Sequence, residues 1–449
     1  MVAIAATVIV GCKKKEEPES VPPPPAQGGA SVDVVATTIG SGLGLPSELA
    51  PTSTTWDRVF VIDDKTAIVA GRALDKAIAL RTTDGGRSWV SLRAKAHKWV
   101  SWSAGADGSV VLADGNREKG GRVAGALAPI ESARLRFAPL EGQLSEPAAL
   151  FPAEDKLNKA TVPGGIATPA VLSPELASLL VTEGRMPVVA YGAPGGQQQP
   201  EALKPPRGRY VSVPYGRPPQ LLSVIGAAIA VRPWPRPGEP LAPGSRIPGA
   251  VAGAKAVEQL NRGPGCETGP WSLQRLATGP NRASIVGVSA DRSFAFPVPG
   301  GASEQIGCGP EGIVVETLDK DKKHPQLVRC ALDGKCATPK SLPFEIWPET
   351  HERTILTAAT KQGVIATLCA RTGARWGAYL AQSLDGGATF ELPRIIGEGK
   401  SERGYFQVGA LINLPGRVLI LMSADVTGTT KRGWYVLASD DGGSNWGPP

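Results

Sequence analysis

The sequence predicts an all-β chain of short antiparallel strands, on three observations. One motif recurs three times, at Thr82-Thr83-Asp84-Gly85-Gly86-Arg87-Ser88-Trp89, Ser383-Leu384-Asp385-Gly386-Gly387-Ala388-Thr389-Phe390 and Ser439-Asp440-Asp441-Gly442-Gly443-Ser444-Asn445-Trp446. The 55 Gly and 42 Pro together make about a fifth of the 449 residues, which suits many turns and disfavours long helices. No stretch carries a convincing helical period; Pro174 to Thr182 has room for only a short helix.

Each motif reads hydroxyl, any residue, Asp, Gly, Gly, two more residues, aromatic. An alternating apolar run precedes it: Ile78 and Leu80, Tyr379 and Ala381, Tyr435 and Leu437. Alternation ending in Asp-Gly-Gly marks a strand entering a hairpin. The carboxylate accepts backbone N–H groups of the turn, and the glycines supply positive φ. The hydroxyl adds a second local bond, and the aromatic anchors the next strand. The residues Thr82, Asp84, Gly86 and Trp89, then Ser383, Asp385, Gly387 and Phe390, then Ser439, Asp441, Gly443 and Trp446 are thus explained as fold chemistry. Three copies point to a repeated structural device, since one active site needs only one.

The motif resembles the Asp-box (BNR) repeat of the sialidase-like β-propellers at every defining position. The resemblance implies a β-propeller of four-stranded antiparallel blades, with boxes in the first blade and the last two. Asp385 and Asp441 are 56 residues apart, one blade, and Asp84 and Asp441 are 357 apart, six such intervals. Seven blades follow, with six or eight still open. Trp56 to Ile62, Thr66 to Gly71, Lys76 to Thr82 and Ser88 to Ala94 read as one blade. Trp99 to Ala104, Ser109 to Ala113, Arg122 to Ala128 and Arg134 to Ala138 read as the next. Residues 140 to 265 are irregular, with strands at Met186 to Tyr191 and Leu221 to Val231. A lone strand near Ser31 to Ile39 is placed to complete the last blade and remove two exposed edges.

The start of the chain is of another kind. Met1 to Val10 is almost wholly apolar, and Ile9-Val10-Gly11-Cys12 resembles a bacterial lipoprotein signal ending in its lipidated cysteine, Cys12. No Lys or Arg precedes the apolar run, and the competing reading is a buried strand with a core cysteine. Residues 13–31, rich in Pro, Lys and Glu, form a stiff tether. Residues 32–449 are then a single domain. Lys13 after Cys12 favours the outer membrane, and no later apolar run reaches the roughly 18 residues of a membrane span.

Export makes the remaining cysteines readable. Cys330 and Cys336 flank a segment in which Leu332-Asp333-Gly334 form a three-residue loop, setting the two opposite each other at disulfide distance. Cys266 with Cys308 is a weaker pair, which leaves Cys369 free and buried. The three histidines, His97, His324 and His351, have no ligand spacing to a cysteine, so no metal or cofactor is expected.

The net charge of +7 is not gathered into a stripe with aromatics, which disfavours nucleic acid. The sialidase resemblance implies an arginine cluster, an Asp acid/base and a Tyr–Glu pair. Arg246-Ile247-Pro248 lies after the first box, whereas the family's Arg-Ile-Pro lies before it. Tyr405, near Glu402 and Arg403, is the nearest approach to a nucleophile, and Asp63-Asp64 fits a turn better than acid/base work. No catalytic residue is assigned. The expectation is a monomeric, surface- or periplasm-facing, lipid-anchored protein that binds a protein or glycan without catalysis. The alternative is an exo-sialidase-type glycoside hydrolase.

Overall fold

The computed structural model describes residues 37–38 and, between 54 and 449, all but a set of connecting segments, of which 152–165, 252–264 and 343–351 are the longest. The described residues are all-β. They form eight antiparallel sheets of four or five strands and one two-stranded hairpin, Arg122–Val123 with Ala126–Leu127.

Seven of the eight sheets run along the chain as meanders. The first comprises Thr54–Val61, Ala67–Ala73, Lys76–Thr82 and Val90–Lys95. The second is Trp99–Ala104, Val110–Arg117, Ile130–Ala138 and Ala148–Phe151. The third begins at Ile166–Ser173 and the fourth at Arg209–Tyr210. The fifth begins at Gly265–Thr268, the sixth at Ile306–Gly309 and the seventh at Glu352–Ala359. The eighth takes Gly404–Leu414, Arg417–Val426 and Arg432–Ser439 from its own stretch of chain. Its fourth strand is Thr37–Thr38, paired so that Thr37 opposes Val436 and Thr38 opposes Tyr435. The expected clasp between the two ends of the ring is therefore formed, and it covers an edge that would otherwise expose unpaired backbone groups.

Alternation drives the stacking. Ile68, Ala70, Ala77 and Leu92 of the first sheet meet Trp102, Val110 and Leu112 of the second, whose other face meets Val171 and Leu179 of the third. The third packs on the fourth through Tyr191, Leu221 and Trp234, and the fifth on the sixth through Leu273, Ile285 and Ile313. Gln220 of the fourth sheet donates through Nε2 to Ser289 O of the fifth, at 2.6 Å. Further cores join the sixth to the seventh, the seventh to the eighth, and the eighth back to the first through Leu419, Leu421, Val69 and Leu80. Every sheet thus contacts its two neighbours in a closed, propeller-like cycle.

Several local expectations change. The stretch Leu221 to Val231 is two strands, Gln220–Ile225 and Ala228–Pro233, because its unbroken apolar character hides a hairpin. The short helix at Pro174 to Thr182 is instead the strand Leu176–Thr182, whose β-branched and leucine residues pair on both sides. In the second sheet the third strand is Ile130–Ala138, while Arg122 to Ala128 supplies only the small separate hairpin. Eight sheets stand where box spacing gave six intervals and seven blades, since the 357 residues are shared over seven steps of 51.

Cys330 and Cys336 form the expected disulfide, with Cα atoms 4.0 Å apart across a loop closed by Ala331 and Lys335. Cys308 is also disulfide-bonded, and Cys369 is free and buried, its thiol pushed up to about 11 by burial. Cys12, the tether and the side chain of Cys266 lie outside the described residues.

One backbone position is out of character. Leu74, at the apex of the hairpin joining Ala67–Ala73 to Lys76–Thr82, has φ 51 and is 61% exposed. It is the only non-glycine with positive φ among the described residues. A left-handed leucine costs roughly 1–2 kcal/mol, so Leu74→Gly should gain about 1 kcal/mol of that back after its own entropy cost. Chemical denaturation of both chains reads the difference; a loss of stability would contradict the assigned turn.

Candidate functional site

In each predicted box the structure gives the Asp carboxylate and the preceding hydroxyl partners within the turn. In the first turn Thr82 Oγ1 donates to Asp84 Oδ1 at 2.9 Å and accepts the Gly86 N–H at 2.8 Å. Asp84 Oδ1 also accepts the Ser88 N–H at 2.9 Å, and Oδ2 accepts the Ser88 hydroxyl at 2.6 Å. Asp385 holds Ser383 and Thr389 in the same pattern, and Asp441 holds Ser439 and Asn445. The paired glycines need left-handed φ, 74 and 93 at Gly85 and Gly86, which a Cβ would resist. Trp89 and Trp446 close the turn by donating Nε1 to the Gly86 and Gly443 carbonyls at 2.9 and 2.7 Å.

The motif as read from sequence left the residue four after the Asp unspecified. Ser88, Thr389 and Asn445 show that it is always a side-chain donor to the second carboxylate oxygen. The signal was present, since all three are polar. Two other turns carry a reduced form of this pattern. Ser289 donates to Asp291 Oδ1 at 3.0 Å, and Asp333 Oδ1 accepts the Lys335 N–H at 3.0 Å, both in turns between third and fourth strands. The boxes also tie sheets together. Arg417 of the eighth sheet holds both oxygens of Asp440 and donates to Gly85 O of the first sheet at 3.0 Å.

These bonds set the carboxylate pKa values. At Asp84 and Asp441 burial pushes upward, but the bonds from Ser88 and Thr82, and from Asn445 and Ser439, outweigh it and hold both below the ordinary range. Asp385 is held lower by Thr389 and Ser383. A depressed folded value contributes stability that is complete above the unfolded value, about 4, and is lost as pH falls through the folded one. The melting temperature should therefore drop as the pH falls below about 4, and the Asp84→Asn, Asp441→Asn double variant should show a flatter acid limb. An unchanged limb would remove the boxes from the acid response.

None of these turns lies at the centre of the ring. There the first strands of the first, fifth, sixth, seventh and eighth sheets follow one another in a circle. Those of the first, sixth, seventh and eighth sheets border a cavity of about 180 Å³, walled by Trp56 to Val59 and Val61, Ile306 to Cys308, Leu356 and Thr357, and Gly409 to Leu411 with Asn413. Sequence reading did not single out these residues, because nothing local marks a strand as innermost.

Two β-bulges shape the wall. Pairing passes from Trp56 with Gly71 to Arg58 with Ala70, leaving Asp57 unpaired, and from Val408 with Met422 to Ala410 with Leu421, leaving Gly409 unpaired. Bulges re-aim side chains, and both occur here at one cavity. Trp56 lies over Gly409, where an added Cβ would meet its Cδ1 at 2.5 Å, and its ring sits edge-on to Trp434 at 5.3 Å. The Trp56 indole N–H is buried and has no hydrogen-bond partner among the described residues. Asp57 is reachable by solvent, yet protein surrounds its concave setting. Desolvation raises its carboxyl pKa, against the opposing charges of Arg58 and Arg72. At the other wall Asn413 Nδ2 donates to the carbonyls of Ala359 and Cys308, joining three inner strands.

Among the described residues, the candidates for glycoside hydrolysis are not gathered here. Arg246 and Ile247 belong to Ser245–Val251, the last strand of the fourth sheet, and Ile247 is buried. Tyr191, Tyr379 and Tyr435 are buried in sheet cores. Asp63 caps its turn by accepting the N–H groups of Lys65 and Thr66. The side chain of Tyr405 and all three histidines lie outside the described residues. Among the described residues no group of His, Cys, Asp and Glu could hold a metal ion.

No family model matches the chain, and no curated protein matches it. Solved structures similar to it include the β-propeller domain of the Trilobed protease from Pyrococcus furiosus, at 9% identity and TM-score 0.34 over 87% of this chain and 96% of that one. A PL25 ulvan lyase aligns at 10% identity and TM-score 0.37, covering 87% of this chain and 94% of that one. Hsv2 of Kluyveromyces lactis aligns at 8% and 0.37, covering 76% and 97%. At these scores the similarities carry no conclusion about activity.

Proposed function

We propose that the chain is an eight-bladed Asp-box β-propeller, exported and lipid-anchored through Cys12 to the bacterial cell envelope, which binds a protein or glycan partner without catalysis. The observation that carries this reading is the division of labour between the two predicted kinds of site. The box carboxylates Asp84, Asp385 and Asp441 are committed to their own turns. The cavity at the ring centre offers one carboxylate, Asp57, one guanidinium, Arg58, and an indole donor with no partner among the described residues. Among the described residues its lining holds neither a tyrosine nor a glutamate, and a single arginine cannot make the cluster that a sialidase uses on a substrate carboxylate.

A cavity of about 180 Å³ receives a side chain or part of one sugar ring, so a larger ligand would insert one group and spread over the surrounding loops. Two experiments test the reading. The full chain is screened against envelope proteins and a glycan array, with Trp56→Ala as comparison. Binding reduced at least tenfold by the variant supports the central site; unaltered binding places the partner elsewhere. Membrane fractionation of Cys12→Ser tests the anchor: release to the soluble fraction is expected, and equal retention would remove the lipid from the proposal. Turnover of a sialoside by the unaltered chain would restore the hydrolase alternative.

A further inference from the structure

At the bulge in Gly404–Leu414 a backbone donor reaches into the next sheet. Pairing steps from Val408 with Met422 to Ala410 with Leu421, and at that step the Val408 N–H donates to Cys369 Sγ at 3.1 Å. Cys369 lies on Val364–Arg371, the second strand of the seventh sheet. Ladder bonds run within a sheet, so an N–H that donates to a side chain of the neighbouring sheet has been turned toward the sheet face, as bulges do. Both residues are buried in the core that joins the two sheets, beside Met422 and Tyr435. Sulfur is a weak acceptor. The bond still matters, because a buried N–H with no acceptor loses its water and gains nothing in return. Cys369 is the free cysteine among the described residues, and burial keeps it a neutral thiol at neutral pH.

The turned amide stands one residue from the cavity wall. Gly409, the extra residue of the bulge, lines the cavity with Ala410 and Leu411, and Trp56 lines it from the first sheet. The two fit closely. A Cβ on Gly409 would stand 2.5 Å from Trp56 Cδ1 and 2.7 Å from Nε1, with the Trp434 ring 3.5 Å away. The place of the indole therefore depends on the path of the Gly409 backbone, and that path depends on which way the Val408 amide faces. Cys369 does not itself line the cavity.

We infer that Cys369 is a positioning residue of the central cavity: by accepting the Val408 N–H it fixes the direction of the bulge and so sets Gly409 against the Trp56 indole. This deepens the reading of the cavity as a binding site and rests on that reading for its consequence, but the positioning itself can be measured without a ligand.

The test compares the full chain with Cys369→Ala, Cys369→Val and Cys369→Ser, each well below its melting temperature. Alanine and valine offer no acceptor, whereas serine keeps one on a shorter bond. Amide hydrogen exchange at Val408 should quicken about tenfold or more in the alanine and valine variants and by less in the serine variant. Brief exposure to hydroxyl radicals then reads the wall. Oxidation at Trp56, relative to the buried Trp234 of the fourth sheet, should rise about twofold or more in the same two variants. A residue that only filled space predicts the opposite order, with serine worst, because it places a hydroxyl in an apolar core. That order would overturn the inference. So would unchanged exchange at Val408 in the alanine and valine variants, or quickened exchange with Trp56 oxidised as in the parent. If those two variants do not fold, the parent and the serine variant decide. Protection of Val408 in both supports the bond, and a Val408 amide exchanging as an unprotected one in the parent would overturn it. Failure to bind a partner at this cavity would leave all these readouts unmoved, so the two readings fail separately.

Discussion

Trp89→Ala should destabilise the chain by about 3–5 kcal/mol, measured as a shift in the denaturation midpoint. The indole is 8% exposed and packs in the core shared by the first and last sheets, beside Leu80, Leu414 and Leu419. Truncation empties that space and removes the only side-chain donor on the Gly86 carbonyl among the described bonds. The neighbours cannot collapse inward freely. Gly86 already lies against Leu419, where an added Cβ would come within 2.7 Å of Cδ1, and Arg417 pins Gly85 from the same sheet. Since this core joins the two ends of the cycle, the loss should appear as weakened ring closure as well as lower stability. Hydrogen exchange should quicken in Arg417–Val426 and Lys76–Thr82 before it does in the fourth sheet. Trp89→Phe refills most of the volume and should recover more than half of the loss. If Trp89→Ala instead unfolded with the parent's midpoint, the aromatic of the box would not be the anchor assigned to it.

Much of this fold was legible because its signals are local. Asp84, Asp385 and Asp441 specify their turns within eight residues, and each hydrogen bond they make falls inside that window. The cross-strand disulfide is legible for the same reason, since Cys330, Asp333, Gly334 and Cys336 sit within one hairpin. The count of sheets is different, because it depends on how many residues each takes. The equivalent turn aspartates Asp291, Asp333, Asp385 and Asp441 are separated by 42, 52 and 56 residues. Calibrating on the last interval alone lengthened the ruler and lost one sheet. The sixth sheet is the short one, with Ile306–Gly309 and Lys340–Ser341 as its outer members. The centre was the least legible part. Whether Asp57 or Asp63 faces the axis depends on which strand is innermost and on a bulge that shifts register by one residue. That information is carried by packing between segments more than 200 residues apart, not by spacing along the chain.

Gly309→Ala is the sharpest test of that centre. Gly309 has an ordinary φ, so conformational strain is not the issue; space is. A Cβ there would overlap the Ala359 carbonyl oxygen and the Asn413 amide, and the obstructing Ala359 atom is backbone, which cannot swing aside. The same crowding holds at Gly307 against the Thr357 carbonyl. One methyl must therefore push the inner strand of the sixth sheet away from that of the seventh, breaking the bonds by which Asn413 joins them. Overpacking of this kind costs typically 1–3 kcal/mol, and about 3 kcal/mol is expected because no rotamer change relieves it. The cavity should open on the same side, so binding that depends on Trp56 and Asp57 should weaken even where the variant remains folded. Gly409→Ala provides the contrast. Its Cβ meets the Trp56 ring, a side chain able to turn, so it should cost less stability while disturbing the cavity more directly. A Gly309→Ala chain as stable as the parent would mean that the inner strands are not in contact across the axis. The wall on which the proposed binding site is built would then have to be redrawn.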